Sequence, residues 1–297
     1  MMLAYKLKIG DTVGIVSPSH IASVERYGRI IAKIKSLGFN VKTGENIYKS
    51  TYGYLASEAE RAYDFNKMIL DDTVKMIFFG GGSGAIELLP YIDYAAVKRN
   101  PKIFLSYSDG TSILNAIYSK TGLITYYGQT PGDFEDLRYY TYEQFASHFL
   151  LGNAETFVSN SEWYSLYDGI CEGTLIGGYT LNFALLLNSC YFKLQNKYVL
   201  FLEDHEKFND VATVSMFLSH IEQNEFINRV SGLIFGHYSE IINQDLMERL
   251  KRFGAKHNIP VAYCDDFGHG TNHAILPIGK NIVLNTIAKT LKFVNEE

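Results

Sequence analysis

Residues 102–122, KIFLSYSDGTSILNAIYSKTG, change from an apolar run to a helical pattern within a few positions. The run Ile103–Ser106 predicts a buried strand and residues 112–120 predict a helix, so Ser108 lies at the turn between them. A helix that starts there aims its first free backbone N–H groups at whatever approaches the turn. That position suits a nucleophile, but serine and aspartate are also ordinary helix caps, and the segment alone favours a cap.

The same alternation of apolar runs and helical patterns extends over residues 12–127. TVGIVSPS, at residues 12–19, has the composition of a buried strand, and the next segment repeats apolar residues at helical spacing up to Gly38. Further strands are predicted at residues 41–43, 76–79 and 124–127, and a further helix at residues 57–70. Strands that alternate with helices indicate an α/β fold whose parallel sheet is covered on both faces.

Between residues 133 and 170 the composition shifts toward Tyr, Phe, Ser and Glu without a sustained period. We interpret this segment as an interdomain linker that carries one helix near residues 143–151. It separates an N-terminal domain, residues 1–132, from a C-terminal domain, residues 171–297. In the C-terminal domain the predicted strands are residues 198–202, 230–235 and 260–264, and the predicted helices are residues 211–223 and Gln244–His257.

The 297 residues, 47% hydrophobic and 20% charged, are enough to bury a sizeable core in two domains. The formal net charge of −5, with Lys and Arg scattered, argues against nucleic acid as a partner and favours a small molecule or peptide. Because we find neither a signal-peptide pattern nor a window apolar enough for a membrane span, we expect a cytoplasmic protein without a membrane partner. The three cysteines are far apart and predict neither disulfides nor a thiolate metal site.

In sheets of this kind ligands bind beyond the carboxyl ends of the strands, where two further loops stand out. In FFGGGSGAIELLP, the glycines at positions 80, 81, 82 and 84 can present backbone N–H groups to an oxyanion, although a tight turn explains them equally well. In VLFLEDHEKF, Glu203 and Asp204 end an apolar strand. Either carboxylate could orient a histidine, although the charged run alone favours a solvated loop.

The motif YCDDFGHGTNHAILPIG contains His269 and His273 close to Asp265 and Asp266. These residue types can ligate a metal, but the intervening glycine argues against one helical face for both histidines, and H-E-x-x-H is missing. We therefore predict no metal. His269 can serve instead as the base that a serine hydroxyl needs, provided that a carboxylate orients its imidazole.

Ser108, His269 and Glu203 supply these three roles, with glycine N–H groups nearby. Their chain order, Ser, Glu, His, also occurs in α/β-hydrolases. SYSDG is one residue away from the G-x-S-x-G nucleophile elbow of those enzymes, with Ser106 in place of the first glycine. Three signals that are weak one by one therefore share one explanation, which is nucleophilic catalysis by a serine.

Six motifs in this order resemble the LD-carboxypeptidase family of serine peptidases, peptidase family S66, which includes murein tetrapeptide carboxypeptidases and microcin C immunity proteins of the MccF type. They are GDTVGIVSPS, GGGSGAIELLPYID, SYSDGTSILNAIYSKTG, EGTLIGG, VLFLED and FGHGTNHAILPIG, and they span nearly the whole chain. The resemblance implies a flavodoxin-like N-terminal domain and a smaller β-rich α/β C-terminal domain. It also implies a site in the cleft between them, frequent homodimers and no cofactor.

By the same resemblance, the family's G-Y-S-D-x-T pattern makes Ser108 the nucleophile, its L-E-D motif makes Glu203 the triad carboxylate, and its G-H motif makes His269 the base. The implied oxyanion hole consists of backbone N–H groups of Gly81 or Gly82 together with Asp109. Asp204 is expected to point to the other side of the strand end and to matter far less than Glu203.

Three positions depart from the family pattern. Ser106 replaces the first glycine of G-Y-S-D, Gly80 stands where murein enzymes often have arginine, and Tyr179 replaces the usual asparagine after IGG. The Cβ gained at position 106 could strain the elbow, and Tyr179 could reshape the pocket. These changes bear on the identity of the substrate and leave the three catalytic positions intact.

We therefore expect a serine carboxypeptidase that hydrolyses an amide bond near the C-terminus of a small peptide, in particular the L,D-bond of murein tetrapeptide. The alternatives are an MccF-type immunity hydrolase of peptidyl or aminoacyl nucleotides and a non-catalytic relative that keeps the cleft. IYSKTGLITYYG and VSGLIFG are closer to the immunity branch. Against that branch, the segment before EGTLIGG is short, and Trp163 is the only tryptophan available to stack on a base.

Overall fold

A computed structural model describes residues 2–294 of the chain. In chain order its strands are β1 (Thr12–Val16), β2 (Asn40–Thr43), β3 (Val74–Phe79), β4 (Ile103–Ser106), β5 (Thr125–Tyr127), β6 (Trp163–Tyr167), β7 (Ile170–Tyr179), β8 (Tyr198–Glu203), β9 (Val230–His237), β10 (Val261–Gly268), β11 (Leu276–Ile278), β12 (Asn281–Asn285) and β13 (Thr290–Phe293). Its α-helices are α1 (Val24–Ser36), α2 (Glu58–Leu70), α3 (Tyr94–Arg99), α4 (Thr111–Thr121), α5 (Tyr139–Phe145), α6 (Thr180–Leu186), α7 (Val211–Glu222) and α8 (Gln244–His257). Within this range, no helix has the length and apolar character that crossing a membrane requires.

The N-terminal half forms a sheet with the strand order β11-β5-β4-β3-β1-β2. Strands β1 to β5 are parallel and follow the flavodoxin-like order 2-1-3-4-5. The three strands β1, β4 and β5 are buried along their whole length, as expected of apolar strands in a sheet that helices cover on both faces. The predicted flavodoxin-like fold of this half is confirmed.

The C-terminal half forms a second sheet with the strand order β13-β12-β7-β8-β9-β10-β6. Strands β7 to β10 are parallel, while β6, β12 and β13 extend the sheet in antiparallel pairs. Strands β8 and β9 are buried throughout, which explains why both were visible as continuous apolar runs in the sequence. This half is the predicted β-rich α/β domain.

Besides β7, β12 and β13, which the sequence analysis did not assign, two strands lie in unexpected places. β6 lies in the segment predicted as a linker, where it pairs antiparallel with β10, and its sequence WYSLY has no alternating pattern. β11 is only three residues long and pairs with β5 of the first sheet, Leu276 lying opposite Tyr127. The helix predicted near residues 143–151 is found as the end of α5 and a π-helical turn at Ala146–Leu151. The domain boundaries at residues 132 and 171 remain a prediction.

The two halves meet where the start of α4 packs against the end of β7. A Cβ on Gly178 would lie 2.3 Å from Oγ1 of Thr111, so only glycine permits this approach. A Cβ on Gly177 would lie 1.7 Å from the backbone oxygen of Phe201 in β8. Asn115 of α4 donates a hydrogen bond to the carbonyl oxygen of Gly177 at 2.8 Å. The helix that follows the Ser108 turn is thereby fixed to the second sheet.

We expect Gly177→Ala to destabilise the protein by about 3 kcal/mol or more, because φ is +140° at this position and the new Cβ meets backbone. The matched control is Gly28→Ala on α1, where nothing lies within 4 Å of the added Cβ and stability should rise by up to about 1 kcal/mol. Thermal and urea unfolding measure both. Equal stability of the two variants would contradict the close packing of β7 against β8 at Gly177.

Candidate active site

Ser108 lies on a sharp turn between strand and helix. β4 ends at Ser106, a 3₁₀ turn covers Ser108–Gly110, and α4 follows at once. The φ angle of Ser108 is +58°, a left-handed conformation that a side chain with a Cβ rarely adopts and that marks strain at functional turns. The same strained geometry exposes the serine of a nucleophile elbow. The sequence signal and the backbone therefore agree at this position.

Three predicted side chains come together in one hydrogen-bonded chain. His269 Nε2 lies 2.9 Å from the Ser108 hydroxyl, and His269 Nδ1 lies 2.8 Å from Oε2 of Glu203. Because a carboxylate can only accept, Nδ1 carries the proton and Nε2 presents its lone pair to the serine. This is the arrangement that a general base needs in order to take the proton of a serine hydroxyl.

Glycine at position 268 allows the histidine to reach the carboxylate. Glu203 ends β8 and is fully buried, while His269 directly follows β10. A Cβ on Gly268 would lie 2.7 Å from Oε2 of Glu203, and φ there is +96°. The strand can therefore pass over the carboxylate only because Gly268 has no side chain.

Tyr127 is a site residue that the sequence reasoning missed. Its hydroxyl donates to Oε1 of Glu203 at 2.5 Å and accepts the backbone N–H of Ser108 at 3.0 Å. Tyr127 is fully buried at the end of β5, and burial raises the pKa of its hydroxyl well above the ordinary value. In the sequence, TYYG is only the end of an apolar strand, and nothing distinguishes this tyrosine from its neighbour.

The glycine loop after β3 lies directly against the serine. A Cβ on Gly81 would lie 2.8 Å from Cβ of Ser108, and one on Gly82 would lie 2.2 Å from the backbone oxygen of Ser19. The buried carboxylate of Asp109 accepts the N–H of Ala85 at 2.7 Å and so fixes the end of this loop. The predicted oxyanion residues are thus brought to the serine.

Ser106 and Gly80, two of the residues that differ from the family pattern, fit near the serine without added backbone strain. Ser106 lies in regular strand conformation, and its hydroxyl donates to the Phe79 carbonyl at 2.8 Å. A Cβ on Gly80 would lie 2.6 Å from Cε1 of His20, another cleft residue that the sequence reasoning missed. His20 contacts the hydroxyl of Tyr27 at 2.6 Å, and burial lowers its pKa. A side chain at position 80 would therefore require the His20 ring to move.

A cleft of about 900 Å³ opens above Ser108 and His269. Its polar lining comes from the segments around the start of α1 and after β5 and includes His20, Ser23, Arg26, Thr130 and Asp133. Its apolar lining, called the apolar wall below, includes Ile86, Tyr179, Leu181, Leu185 and Phe208. A ligand that fills the cleft therefore meets both hydrogen-bonding groups and apolar surface.

Tyr179 and Phe208 enclose the histidine from the apolar wall. Their ring centroids lie 5.2 Å and 5.0 Å from that of His269, both in edge-to-face geometry. The hydroxyl of Tyr179 accepts a hydrogen bond from Asn209 at 2.9 Å. Trp163, in contrast, is buried against Phe157 in β6 and does not line the cleft.

Asp204 turns away from the histidine. It accepts hydrogen bonds from the N–H of His205 and from the Asn209 amide, and burial raises its pKa to about 7. Of the two neighbouring carboxylates, only Glu203 accepts a hydrogen bond from His269. Glu203 therefore faces His269 and Asp204 does not, which is the orientation expected for this pair.

The alternative metal set is dispersed. Asp265 pairs with His237 at 3.0 Å, and His273 lies 3.4 Å from Asp133. The carboxylate of Asp266 is occupied by polar groups of residues 159–161 and 272. Over residues 2–294, no group of three or more His, Cys, Asp or Glu side chains is arranged to hold a metal ion.

The carboxylate of Glu203 sets the proton affinity of the histidine. Burial alone would lower the pKa of His269, but the charge and hydrogen bond of Glu203, supported by Asp204 and Asp133, outweigh burial and raise it. A raised pKa makes His269 a stronger base toward the serine proton. It also means that the histidine must lose its own proton before it can act.

Comparison with known proteins gives a consistent match. Two family models cover the chain, the LD-carboxypeptidase N-terminal domain at residues 13–128 and the LD-carboxypeptidase C-terminal domain at residues 172–284. A Bacillus subtilis protein named "Probable murein peptide carboxypeptidase" is 28% identical over 309 residues, 97% of this chain and 94% of that protein. The solved MccF-like protein of Bacillus anthracis has a TM-score of 0.87 at 27% identity, covering 100% of both chains. Microcin C7 self-immunity protein MccF in complex with aspartyl sulfamoyl adenosine has a TM-score of 0.87 at 26% identity, covering 100% of this chain and 99% of that one.

Glu203→Gln should lower the pKa of His269, which Glu203 holds above its ordinary value, because the burial that opposes the charged ring remains while the carboxylate charge is lost. Asp204→Asn is the control and should shift the pKa less, since Asp204 makes no hydrogen bond to the ring and is partly protonated near neutral pH. NMR titration of the His269 ring measures both shifts. A larger shift in Asp204→Asn would show that the wrong carboxylate has been paired with the histidine.

Proposed function

The chain belongs to the LD-carboxypeptidase family, peptidase family S66, and is a serine peptidase; we propose that it hydrolyses the amide bond next to the C-terminal residue of a small peptide, in particular the L,D-bond of murein tetrapeptide. The observation that carries this proposal is the continuous chain of hydrogen bonds from Ser108 through His269 to Glu203 at the floor of an open cleft. The implied setting is the cytoplasm, with a homodimer as the implied assembly.

In the proposed mechanism, Oγ of Ser108 attacks the scissile carbonyl while Nε2 of His269 takes its proton. Glu203 stabilises the imidazolium that forms. The negative oxygen of the tetrahedral intermediate is held by the N–H of Asp109 and by that of Gly81 or Gly82, donors of a kind commonly worth about 10²–10³ in rate. His269 then protonates the leaving amine, and water hydrolyses the acyl-enzyme by the same steps in reverse.

The proposal divides the chemistry between the two halves of the chain. Residues 1–132 supply Ser108 and the glycine loop, and residues 171–297 supply Glu203 and His269, with residues 133–170 between them. A substrate bound in the cleft would therefore touch both domains. This division is supported by the two family models, since one ends before the intervening segment, at residue 128, and the other begins after it, at residue 172.

Arg26 is the residue that we propose to recognise the substrate carboxylate. It is the one lysine or arginine among the described residues that line the cleft, and its side chain is about half exposed. Its Nε donates to Glu135 at 2.7 Å, which leaves the terminal nitrogens of the guanidinium for a second acceptor. Two guanidinium nitrogens can bind one carboxylate through two parallel hydrogen bonds.

The second candidate function is hydrolysis of a peptidyl or aminoacyl nucleotide, as the MccF complex with aspartyl sulfamoyl adenosine suggests. The observation that favours it is the exposed ring of Phe208 at the cleft mouth, 60% exposed and directly beside His269. Bases stack on aromatic faces of this kind. Trp163, the only tryptophan, lies in the core and does not supply that stacking.

We expect the protein to release the terminal D-alanine from murein tetrapeptide and to leave aspartyl sulfamoyl adenosine largely intact when both are assayed in parallel. Ser108→Ala should reduce turnover by about 10⁴-fold or more, because the hydroxyl forms the acyl-enzyme. A fluorophosphonate probe should label Ser108 in the native protein and label nothing in the variant. Preferred cleavage of the adenosine compound would favour the second candidate, and an unlabelled Ser108 in folded protein would favour a non-catalytic relative.

Arg26→Gln should raise KM for the tetrapeptide by about 10–100-fold with little change in kcat, because one charge-assisted contact to the substrate carboxylate is lost. Arg29→Gln is the matched control, since Arg29 also pairs with Glu135 but does not line the cleft. Amidating the C-terminus of the peptide should weaken binding to the native protein and make no further difference in Arg26→Gln. Equal KM values for the two variants would exclude Arg26 as the carboxylate-binding residue.

A further inference from the structure

The hydroxyl of Tyr127 closes a ring of hydrogen bonds around the site. Starting from Oγ of Ser108, the ring runs through His269 and Glu203 to Tyr127 and returns to the backbone N–H of the same serine. We propose that Tyr127 is a positioning residue of the hydrolase, which holds the Glu203 carboxylate and the Ser108 backbone in one fixed frame. This inference rests on the proposed function and adds a fourth residue to its machinery.

The directions of the hydrogen bonds in this ring follow from the chemistry of its members. A carboxylate has no proton to give, so the single proton of the Tyr127 hydroxyl goes to Glu203. The oxygen lone pair then receives the N–H of Ser108, since a backbone amide can only donate there. The 2.5 Å contact with Glu203 is at the short end for O–H···O⁻ bonds, which are the stronger class. Tyr127 therefore donates to Glu203 and accepts from Ser108.

Because Tyr127 is buried, a water molecule cannot easily take over the hydrogen bonds of its hydroxyl. Tyr127 and Glu203 are both fully buried, so water does not reach the Oε1 atom that Tyr127 pairs. Without the hydroxyl, one carboxylate oxygen would be left without its donor and the N–H of Ser108 without its acceptor. The carboxylate could then turn away from His269, and the strained backbone at Ser108 would lose a contact that holds its φ at +58°.

The ring also restricts the composition of the oxyanion hole. Because the N–H of Ser108 already donates to Tyr127, it is engaged inside the protein and cannot stabilise the reacting oxygen at the same time. The donors must therefore come from the next amide, Asp109, and from the glycine loop beside the serine. Tyr127 thus separates the group that holds the nucleophile from the groups that hold the oxyanion.

The test compares Tyr127→Phe with Tyr126→Phe in the full-length protein. Tyr126 is the matched control: it is the preceding residue of β5, its side chain lies on the other face of the strand against Phe149, and it takes no part in the ring. We expect Tyr127→Phe to reduce kcat and the rate of fluorophosphonate labelling by about 10–100-fold, as for loss of a hydrogen bond to a charged group, with KM within about threefold. Tyr126→Phe should leave all three unchanged.

A second readout distinguishes positioning from a merely structural role. Without the Tyr127 hydrogen bond, the Glu203 carboxylate interacts more strongly with the His269 imidazolium and raises the pKa of the ring. The acid limb of kcat/KM and the NMR titration of His269 should therefore both move to higher pH. Substituting 3,5-difluorotyrosine at position 127 keeps the shape, strengthens the donor and should move both to lower pH. This variant also serves if Tyr127→Phe fails to fold.

The role of Tyr127 would be overturned if Tyr127→Phe left both the labelling rate and the His269 titration unchanged. It would also be overturned if difluorotyrosine at position 127 left the His269 titration unchanged. If the proposed hydrolase function is wrong, the labelling and titration results differ from these. In that case the native Ser108 would not react with the fluorophosphonate, while the His269 titration would still follow the donor strength at position 127 and support the ring.

Discussion

The buried carboxylate of Glu203 is the group on which the rest of the site depends. A charge without access to water is tolerated only when its oxygens are paired, and here each oxygen has one partner, Tyr127 from the first sheet and His269 from the second. The same carboxylate therefore joins the two sheets and orients the histidine. Removing its charge affects both the chemistry of the imidazole and the contact between the halves, so stability and reactivity share one residue.

A second buried carboxylate keeps the serine and the glycine loop in register. Asp109 accepts hydrogen bonds from the N–H of Ala85, at the end of the loop, and from the amide of Asn182 in α6 at 2.6 Å. Burial raises the pKa of Asp109, which its hydrogen bonds only partly offset. The side chain that follows Ser108 thus holds the loop from one side and the second sheet's helix α6 from the other. The contact of Gly178 with the Thr111 side chain and the hydrogen bond from Asn115 to the Gly177 carbonyl complete this connection.

Much of this architecture could be predicted from the sequence, because most of the parallel strands are continuous apolar runs and the glycine, Glu203 and His269 motifs lie at or just after strand ends. Tyr127 and His20 could not, since their roles depend on neighbours distant in the chain and nothing local distinguishes them from ordinary tyrosine and histidine. β7 was not predicted, since its first half contains polar residues and is partly exposed. β11 is too short to show a period, and β6 becomes a strand only by pairing with β10. The residue types and chain order of Ser108, Glu203 and His269 suggested a serine hydrolase, resemblance to a family assigned their roles, and the geometry adds their distances.

The pairing of β11 with β5 has a consequence for the order of assembly during synthesis. Until residues 276–278 leave the ribosome, β5 is an unpaired edge with Tyr127 at its end, although every other strand of the first sheet has long been available. His269 emerges only a few residues earlier. A nascent chain therefore carries an exposed sheet edge and an unfinished serine site until residues 269–278 have been made, and the hydrogen bonds that join Ser108, His269 and Glu203 form only after that point.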